Sequence, residues 1–273
     1  MKRIGAIFLK TGVLFSLIII CLVSFTGCGF RFLKENEILN LEDPTGKLYI
    51  KIYDETKGDE KTLVEEQVFE FVLYYKDAPN TVANFVKLVK DGYFDYDNNL
   101  TFSDLENTPF VTFGQREFYK EETFDKDDKT KLIRTDYYTK LIKPDFHIVG
   151  EFSVNGWENK RESKVGSLIM VREPFNRADY DADGKTNFDT AHAAFNILAK
   201  DSTVKYGESF CVFGQITKLP DGTTIHQSSL YPQLWTNYSY DSAYSNTNRI
   251  KYMFRIEMDN PSVNYGNPLR VKV

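Results

Sequence analysis

The chain has 273 residues, of which 42% are hydrophobic and 15% aromatic, and its formal net charge at pH 7 is −5. This apolar content is sufficient for one globular domain with extensions. The residues before Cys28 include three basic and no acidic side chains, so the remainder carries 31 basic and 39 acidic ones, a net charge of −8. An acidic surface argues against nucleic acid as a partner.

Residues 1–27 have the composition of a secretory signal peptide. Lys2 and Arg3 precede an apolar run over residues 12–23, and small residues follow. This order of a basic, an apolar and a small-residue segment is typical of exported proteins. The sequence therefore predicts that the domain acts outside the cytoplasm, on the periplasmic side or at the cell surface.

The end of this segment resembles a bacterial lipobox, in which a cysteine is lipidated and becomes the new N-terminus. Cys28 is the predicted lipidation site, although Phe25 stands where Leu is usual. The alternative is an uncleaved membrane anchor, since about 17 uncharged residues separate Lys10 from Cys28, near the lower limit for a span. Either reading predicts a membrane-anchored protein, and residues 28–45 form its tether.

Residues 78–94 carry the clearest pattern of secondary structure. Pro79 fits the first turn of a helix, where its missing N–H costs nothing, and Gly92 suits the left-handed residue that ends one. Apolar residues recur between them at helical spacing: Val82, Phe85, Val86 and Val89. The sequence therefore predicts a helix with one buried face.

Strands are predicted on both sides of this helix. Alternating polarity indicates a strand at residues 47–53, aromatic and β-branched composition indicates one at 67–75, and a closing strand is predicted at 249–258. Residues 117–145 are strongly charged and predict a long loop containing a short amphipathic piece. Residues 217–248, rich in Ser, Tyr, Asn and Pro, predict an irregular loop.

Several segments resemble the cyclophilin family of peptidyl-prolyl isomerases, in the family's order. They are the helix with its Ala-Pro-x-Thr-Val-x-Asn-Phe pattern, the segment from Glu151 to Met170, and two strands at residues 194–198 and 212–216. The resemblance implies a mainly β fold: a closed eight-stranded antiparallel barrel with one clear capping helix and long loop insertions. This domain would span residues 46–273.

Cyclophilins accelerate rotation about X-Pro bonds, which crosses a barrier of about 20 kcal/mol. Catalysis needs an apolar pocket for the proline ring and donors that favour the twisted amide. The resemblance implies proline-containing polypeptides as partners and a set of substrate-binding residues: Phe110, Val111, Phe113, Met170, Val171, Phe195 or Asn196, Val204 or Tyr206, and Phe210. Some of these phenylalanines could equally be core residues.

The family's catalytic pattern is broken at its most important position. Its Phe-His-Arg triplet reads Phe102-Ser103-Asp104 here, so an acid replaces the arginine. Arg172 on a neighbouring strand is the first candidate for a surrogate, and Arg116 is the second. The sequence therefore predicts an isomerase with an atypical site that acts on exported proteins. The alternative is a non-catalytic lipoprotein that binds polypeptides as a chaperone or scaffold.

No cofactor is required by the predicted reaction, but one stretch resembles the start of a calcium-binding loop. Hard Ca²⁺ prefers carboxylate and carbonyl oxygens at alternate positions around a glycine turn. The candidate ligands of a structural Ca²⁺ are Asp179, Asp181, Asp183, the carbonyl of Lys185, and Asn187. Thr190 stands where a bidentate Glu is usual, so an Asp-rich surface turn is the alternative.

Cys211 is the only cysteine after Cys28. One thiol cannot form an intramolecular disulfide. Its apolar surroundings in the sequence predict a small buried residue rather than a nucleophile.

Overall fold

The computed structural model describes residues 39–54, 62–96, 100–104, 110–141, 145–152, 156–157, 159, 161–172, 190–199, 210–224 and 250–272. The elements in chain order are β1 (Thr45–Asp54), β2 (Thr62–Leu73), α1 (Pro79–Lys90), β3 (Leu100–Asp104), β4 (Phe110–Phe124), β5 (Leu132–Leu141), β6 (Phe146–Ile148), β7 (Ser167–Met170), β8 (Phe195–Leu198), β9 (Val212–Lys218), β10 (Ile250–Met258) and β11 (Arg270–Lys272). The predicted signal peptide, Cys28 and most of the tether lie outside these residues.

The fold is mainly β, with one large antiparallel sheet. Its hydrogen-bonded order is β10-β1-β2-β9-β7-β8-β4-β3, and β5 pairs with β4 off this path. β11 and β6 form a separate two-stranded sheet. Because the order begins at β10 and ends at β3, these pairings do not by themselves establish the closed eight-stranded barrel that the resemblance implies.

The predicted strands on both sides of the helix are confirmed. β1 pairs with β2 and with β10, so that Leu48 lies opposite both Phe69 and Ile256. Side chains on this face are buried, as the alternation predicts for a sheet with one face on the core; Leu48, Ile50, Phe69 and Phe71 are each at most 2% exposed.

The predicted helix is also confirmed, with its boundaries. Gly92 has φ 73°, and its N–H donates to the carbonyl of Val89 at 3.0 Å while that of Tyr93 donates to Leu88 at 2.9 Å. This pair of hydrogen bonds is the Schellman arrangement that a C-terminal glycine permits. Three of the four predicted apolar residues are buried and Val89 packs against the core.

Phenylalanine rings fill the space between the helix and the sheet. Phe85 on α1 lies 5.2 Å from Phe94 and Phe213 and 5.4 Å from Phe195, measured between ring centroids. Phe113 stacks on Phe195 at 5.1 Å with an interplanar angle of 9°. Each such pair contributes about 0.5–1.5 kcal/mol beyond simple burial, so this cluster fixes the helix on the sheet.

The charged insertion at residues 117–145 is not the loop that its composition predicts. β4 and β5 pair in an antiparallel register from Arg116 opposite Leu141 to Phe124 opposite Leu132. Strands can pair through their backbones without any alternation of apolar side chains. A hairpin of this kind can therefore have a charged composition that does not predict strands. The prediction of a long loop here was wrong.

The chain after β10 returns across α1. Leu269 N–H donates to Asn80 Oδ1 at 2.6 Å, Arg270 Nη2 donates to Asn84 Oδ1 at 2.9 Å, and Lys90 Nζ donates to the carbonyl of Val263 at 2.6 Å. These contacts bind the C-terminal segment to the polar side of the helix. In the described part of the chain, no helix has the length and apolar character needed to cross a membrane.

Candidate active site

Strands β4, β7 and β8 present alternate residues to two faces. Val111 lies opposite Ile197, which lies opposite Leu168, and all three belong to the main core. On the other face, Ile169 and Leu198 form a second apolar group with Val212 of β9, here called the outer cluster, and the partly buried rings of Phe110 and Phe210 pack against it. The two rings are the part of this cluster that a ligand could touch.

The predicted substrate-binding residues divide between the two faces. Phe110 and Phe210 belong to the outer cluster, and Val171, half-buried directly after β7, donates its N–H to the carbonyl of Ala194 at 2.9 Å. Four others lie in the main core, each at most 1% exposed: Val111, Phe113, Met170 and Phe195. Their position favours the core role that the sequence left open, and substrate contact by these four stays a prediction.

The alternative of Phe195 or Asn196 is a question of register, and the strand pairing shows which face of β8 each residue occupies. Asn196 lies opposite Thr112 and Ile169, on the outer face, whereas Phe195 lies opposite Phe113 in the core. Thr112 Oγ1 donates a hydrogen bond of 2.7 Å to Asn196 Oδ1. This bond uses one lone pair of the amide oxygen, and the N–H₂ group is the donor end of the Asn196 side chain.

Arg172 lies at the edge of the same cluster. Its guanidinium carbon is 4.7 Å from the ring centre of Phe210 and 5.1 Å from that of Phe152. The side chain is only 7% exposed, so much of its hydration has been replaced by two aromatic faces, an arrangement that favours a guanidinium. The structure therefore brings the candidate surrogate next to one ring of the outer cluster.

A buried carboxylate that sequence reasoning did not single out holds this region together. Glu151 is 2% exposed and accepts hydrogen bonds from the backbone N–H groups of Asn80 at 2.8 Å and Thr81 at 2.7 Å. No side chain of its own segment caps α1 at Ala78, so Glu151 satisfies these N–H groups instead. Burial raises the pKa of Glu151 to about 7, while the two N–H donors act in the opposite direction.

Asn159 connects Glu151 to the start of β9. Its amide donates to the carbonyl of Glu151 at 3.3 Å and to that of Val212 at 3.1 Å. Cys211 lies beside it, 3% exposed, with its Sγ 3.3 Å from Thr81 Oγ1. This exposure confirms the prediction of a buried residue, and the burial raises the pKa of the Cys211 thiol well above its ordinary value. The sequence placed Glu151 at the start of a segment that resembles the family, and this was the signal that could have identified it. Its burial, in contrast, depends on tertiary packing and could not be read from the sequence.

The asparagine of the helix motif positions β8. Asn84 Nδ2 donates to the carbonyl of His192 at 2.8 Å, three residues before β8 begins. Asn84 is completely buried, and an unpaired amide there would cost about 1–3 kcal/mol. The helix therefore fixes the strand that carries Asn196.

Other predicted residues cannot be placed. Tyr206 and the five candidate calcium ligands lie outside the described residues, as do the side chains of Phe102, Ser103 and Asp104, whose backbone forms β3. Within the described ranges, no group of three or more His, Cys, Asp or Glu residues could hold a metal ion. The calcium site therefore stays a prediction.

A family model described as "Cyclophilin type peptidyl-prolyl cis-trans isomerase/CLD" matches residues 60–227. No curated protein matches the sequence significantly. Two similar solved structures are of a cyclophilin type peptidyl-prolyl cis-trans isomerase from Cryptosporidium parvum, one of them in the presence of the dipeptide Ala-Pro. Identity is 13% and 14%, coverage is 78% and 76% of this chain and 98% of each of those chains, and the TM-scores are 0.41 and 0.39.

Proposed function

Because the chain belongs to the cyclophilin-type peptidyl-prolyl cis-trans isomerase family, we propose that it isomerises X-Pro bonds of exported polypeptides through an atypical site on the outer face. The matched residues, 60–227, make up more than half of the chain. They include all of α1 and β9 and the strands that carry the outer cluster. Membership supports isomerase activity in general, and the site and location are the proposal.

The outer cluster supplies the two kinds of group that the reaction needs. The rings of Phe110 and Phe210 offer an apolar surface to a proline ring. Arg172 and the amide of Asn196 offer donors to the twisted peptide group, in which the proline nitrogen loses its resonance and becomes more basic. Since donors that bind the twisted amide better than the planar forms lower the barrier, this pairing can catalyse isomerisation without the family's arginine.

The observation that carries the proposal is the guanidinium of Arg172 over Phe210. Removing one preorganised donor lowers the rate by about 10²–10³, so Arg172→Ala should reduce the acceleration of an Ala-Pro tetrapeptide by this order. A protease-coupled assay measures it. Arg161→Ala is the control, since Arg161 also lies over an aromatic ring, that of Tyr74, at 3.9 Å. A wild-type protein that gives no acceleration over background contradicts the proposal.

A second candidate function is polypeptide binding without catalysis. The observation in its favour is Asp104, which occupies the arginine position of the family pattern. A binding module would retain affinity for proline-containing peptides and would show the same slow isomerisation with and without protein. Peptide titration beside the coupled assay separates the two functions.

We further propose that Cys28 is lipidated and tethers the domain to a membrane outside the cytoplasm. The support is the basic, apolar and small-residue order of residues 1–27, and several acyl chains on one cysteine give stable anchoring. Cys28→Ala should move the protein from the membrane to the soluble fraction. Lipidation would be contradicted if the wild type and the variant had the same mass and were found in the same cell fraction.

The closed barrel is likewise a proposal. It is supported by the approach of β3 and β10, the two ends of the strand order, to Cα–Cα distances within 8 Å. Nuclear Overhauser contacts between the amides of these strands would confirm closure, and two edges that exchange amide protons quickly would contradict it.

A further inference from the structure

The β4–β5 hairpin continues beyond the main sheet as a ribbon of its own. β4 pairs with β8 only over residues 110–113 and with β3 only as far as Glu117, whereas it pairs with β5 up to Phe124. Among the described strands β5 pairs with β4 alone. Since a two-stranded ribbon by itself is marginally stable in water, a third strand along β5 would stabilise it.

The far end of the ribbon is apolar and exposed. Phe124 is 42% exposed, Leu132 48% and Ile133 60%, and these are three of the six large hydrophobic residues that are exposed in the described part of the chain. Phe124 lies opposite Leu132, and Ile133 falls where the register shifts, so a bulge re-aims its side chain. Apolar residues grouped on a surface mark a binding site more often than single ones do.

The turn beyond these residues is charged and closed by its own hydrogen bonds. Asp125 N–H donates to the carbonyl of Lys131 at 2.9 Å, Asp125 Oδ1 accepts the N–H of Asp127 at 3.0 Å, and Asp128 Oδ1 accepts that of Thr130 at 3.0 Å. The exposed apolar residues therefore lie at the end of an ordered ribbon rather than on an irregular loop. A lipid surface approached end-on would meet the charged turn first, which favours a polypeptide as the occupant.

We propose that this ribbon is an accessory binding site for extended apolar stretches of unfolded polypeptide substrates, which add as a strand along β5. The inference rests on the proposed function, because the same strand, β4, carries Phe110 in the outer cluster and Phe124 at the ribbon's end. Strand addition uses the N–H and C=O groups of a sheet edge for affinity, and neighbouring apolar side chains add to it.

The spacing makes the proposal specific for long substrates. About 14 residues separate Phe110 from Phe124, a distance along the strand of up to about 46 Å at about 3.3 Å per residue. A tetrapeptide bound at the outer cluster cannot reach the ribbon's end. An unfolded chain with its proline at the outer cluster and an apolar stretch about 14 residues away can occupy both.

Two synthetic peptides with the same Ala-Pro core test this with the full chain in lipid nanodiscs. One is a tetrapeptide; the other has 20 residues and carries five apolar residues about 14 positions from the proline. Fluorescence anisotropy should show the long peptide binding at least tenfold more tightly. The triple variant Phe124→Ser, Leu132→Ser, Ile133→Ser should remove this difference, since partial burial of three such side chains is worth at least a factor of ten.

The control is Leu63→Ser, which removes an apolar side chain of similar exposure, 48%, from β2. N-methylation of alternate residues in the apolar stretch should weaken long-peptide binding in the wild type, because it removes the donors of strand addition. Equal affinities for the two peptides, or an unchanged triple variant, would overturn the proposal. A further outcome would overturn the proposal in favour of a lipid contact: that the nanodisc, with no peptide present, shields the apolar end of the ribbon from a water-soluble quencher.

The failure of this inference is distinguishable from failure of the proposed function. If the long peptide binds through the apolar end of the ribbon but the protein does not accelerate isomerisation of the tetrapeptide, the ribbon site is supported and the isomerase function is contradicted. If wild type and triple variant accelerate isomerisation of the tetrapeptide equally, and the two peptides bind with equal affinity, the isomerase function is supported and the ribbon site is contradicted.

Discussion

The two faces of β4, β7 and β8 differ in what their residues do. The inner face holds phenylalanines packed ring to ring around Phe85, and its side chains are nearly inaccessible. The outer face holds two half-buried rings, a hydrogen-bonded Thr112–Asn196 pair and one nearly buried arginine. The inner face carries the packing of the fold, and the proposed chemistry lies on the outer face. Substitutions on the two faces should therefore separate stability from activity.

The largest effect is expected on the inner face. Phe195→Ala should lower the free energy of unfolding by about 3–5 kcal/mol, because this ring contacts Phe85, Phe94 and Phe113 at centroid distances of 5.1–6.0 Å. Urea denaturation measures it. The adjacent outer-face variant Asn196→Ala is the control and should cost less than about 1.5 kcal/mol; equal losses at the two positions would contradict the division into two faces.

A pH-dependent effect is expected from Glu151. Burial raises its pKa from 4.5 to about 7, so between these values the folded state holds the proton more tightly than the unfolded state. The stability contributed by this group is fully present below about pH 4.5 and is lost as the pH rises through about 7. Wild type should lose about 3 kcal/mol more over this range than Glu151→Gln.

Denaturation midpoints at pH 4.5 and 8 measure this difference. Glu162→Gln, which changes an exposed carboxylate, should keep the pH profile of the wild type. A Glu151→Gln variant with the wild-type profile would show that burial does not control this group.

A smaller loss of stability is expected from Asn84, which connects α1 both to the segment before β8 and to the C-terminal segment. Asn84→Ala removes a donor to the carbonyl of His192 and the acceptor of Arg270, which should cost about 1–3 kcal/mol. Activity should also fall, because the segment that leads into β8 loses a hydrogen bond to α1, while β8 retains the contact of Phe85 with Phe195 named above. Hydrogen exchange of the amides of β8 measures the local effect, and unchanged protection there would contradict a positioning role.

The smallest effect on stability is expected on the outer face. Phe110→Ala should cost about 1 kcal/mol in unfolding, since the ring is only partly buried. It should nevertheless raise the KM for an Ala-Pro peptide severalfold with little change in kcat, because an apolar wall binds the planar and twisted forms alike. A fall in kcat with unchanged KM would show that the ring acts in the transition state instead.

Local patterns predicted the elements best. Pro79 and Gly92 bound the helix as expected, because each acts on the backbone at its own position. The alternation in β1 predicted its buried face for a similarly local reason. The sequence predicted a loop where β4 and β5 form a charged ribbon, because pairing through the backbone produces no pattern of side chains from which the strands could be predicted.

The outer site depended on contacts that are distant in sequence. The register of β8 against β4, and not its composition, assigned Phe195 to the core and Asn196 to the outer face. A slip of one residue would have exchanged them, because side chains alternate with a period of two. Likewise, sequence could nominate Arg172 as a surrogate, but only packing brings it over Phe210.

The sequence by itself therefore determined the family and the helix that identifies it, and it carries the prediction that Asp104 stands at the family's arginine position. Only the tertiary structure decided which phenylalanines form the core, that Glu151 caps the helix from 70 residues away, and that a charged insertion is a ribbon with an apolar end. The physical reason is the range of the interactions: backbone preferences act within a few residues, whereas burial and register are set by partners that the chain brings together on folding.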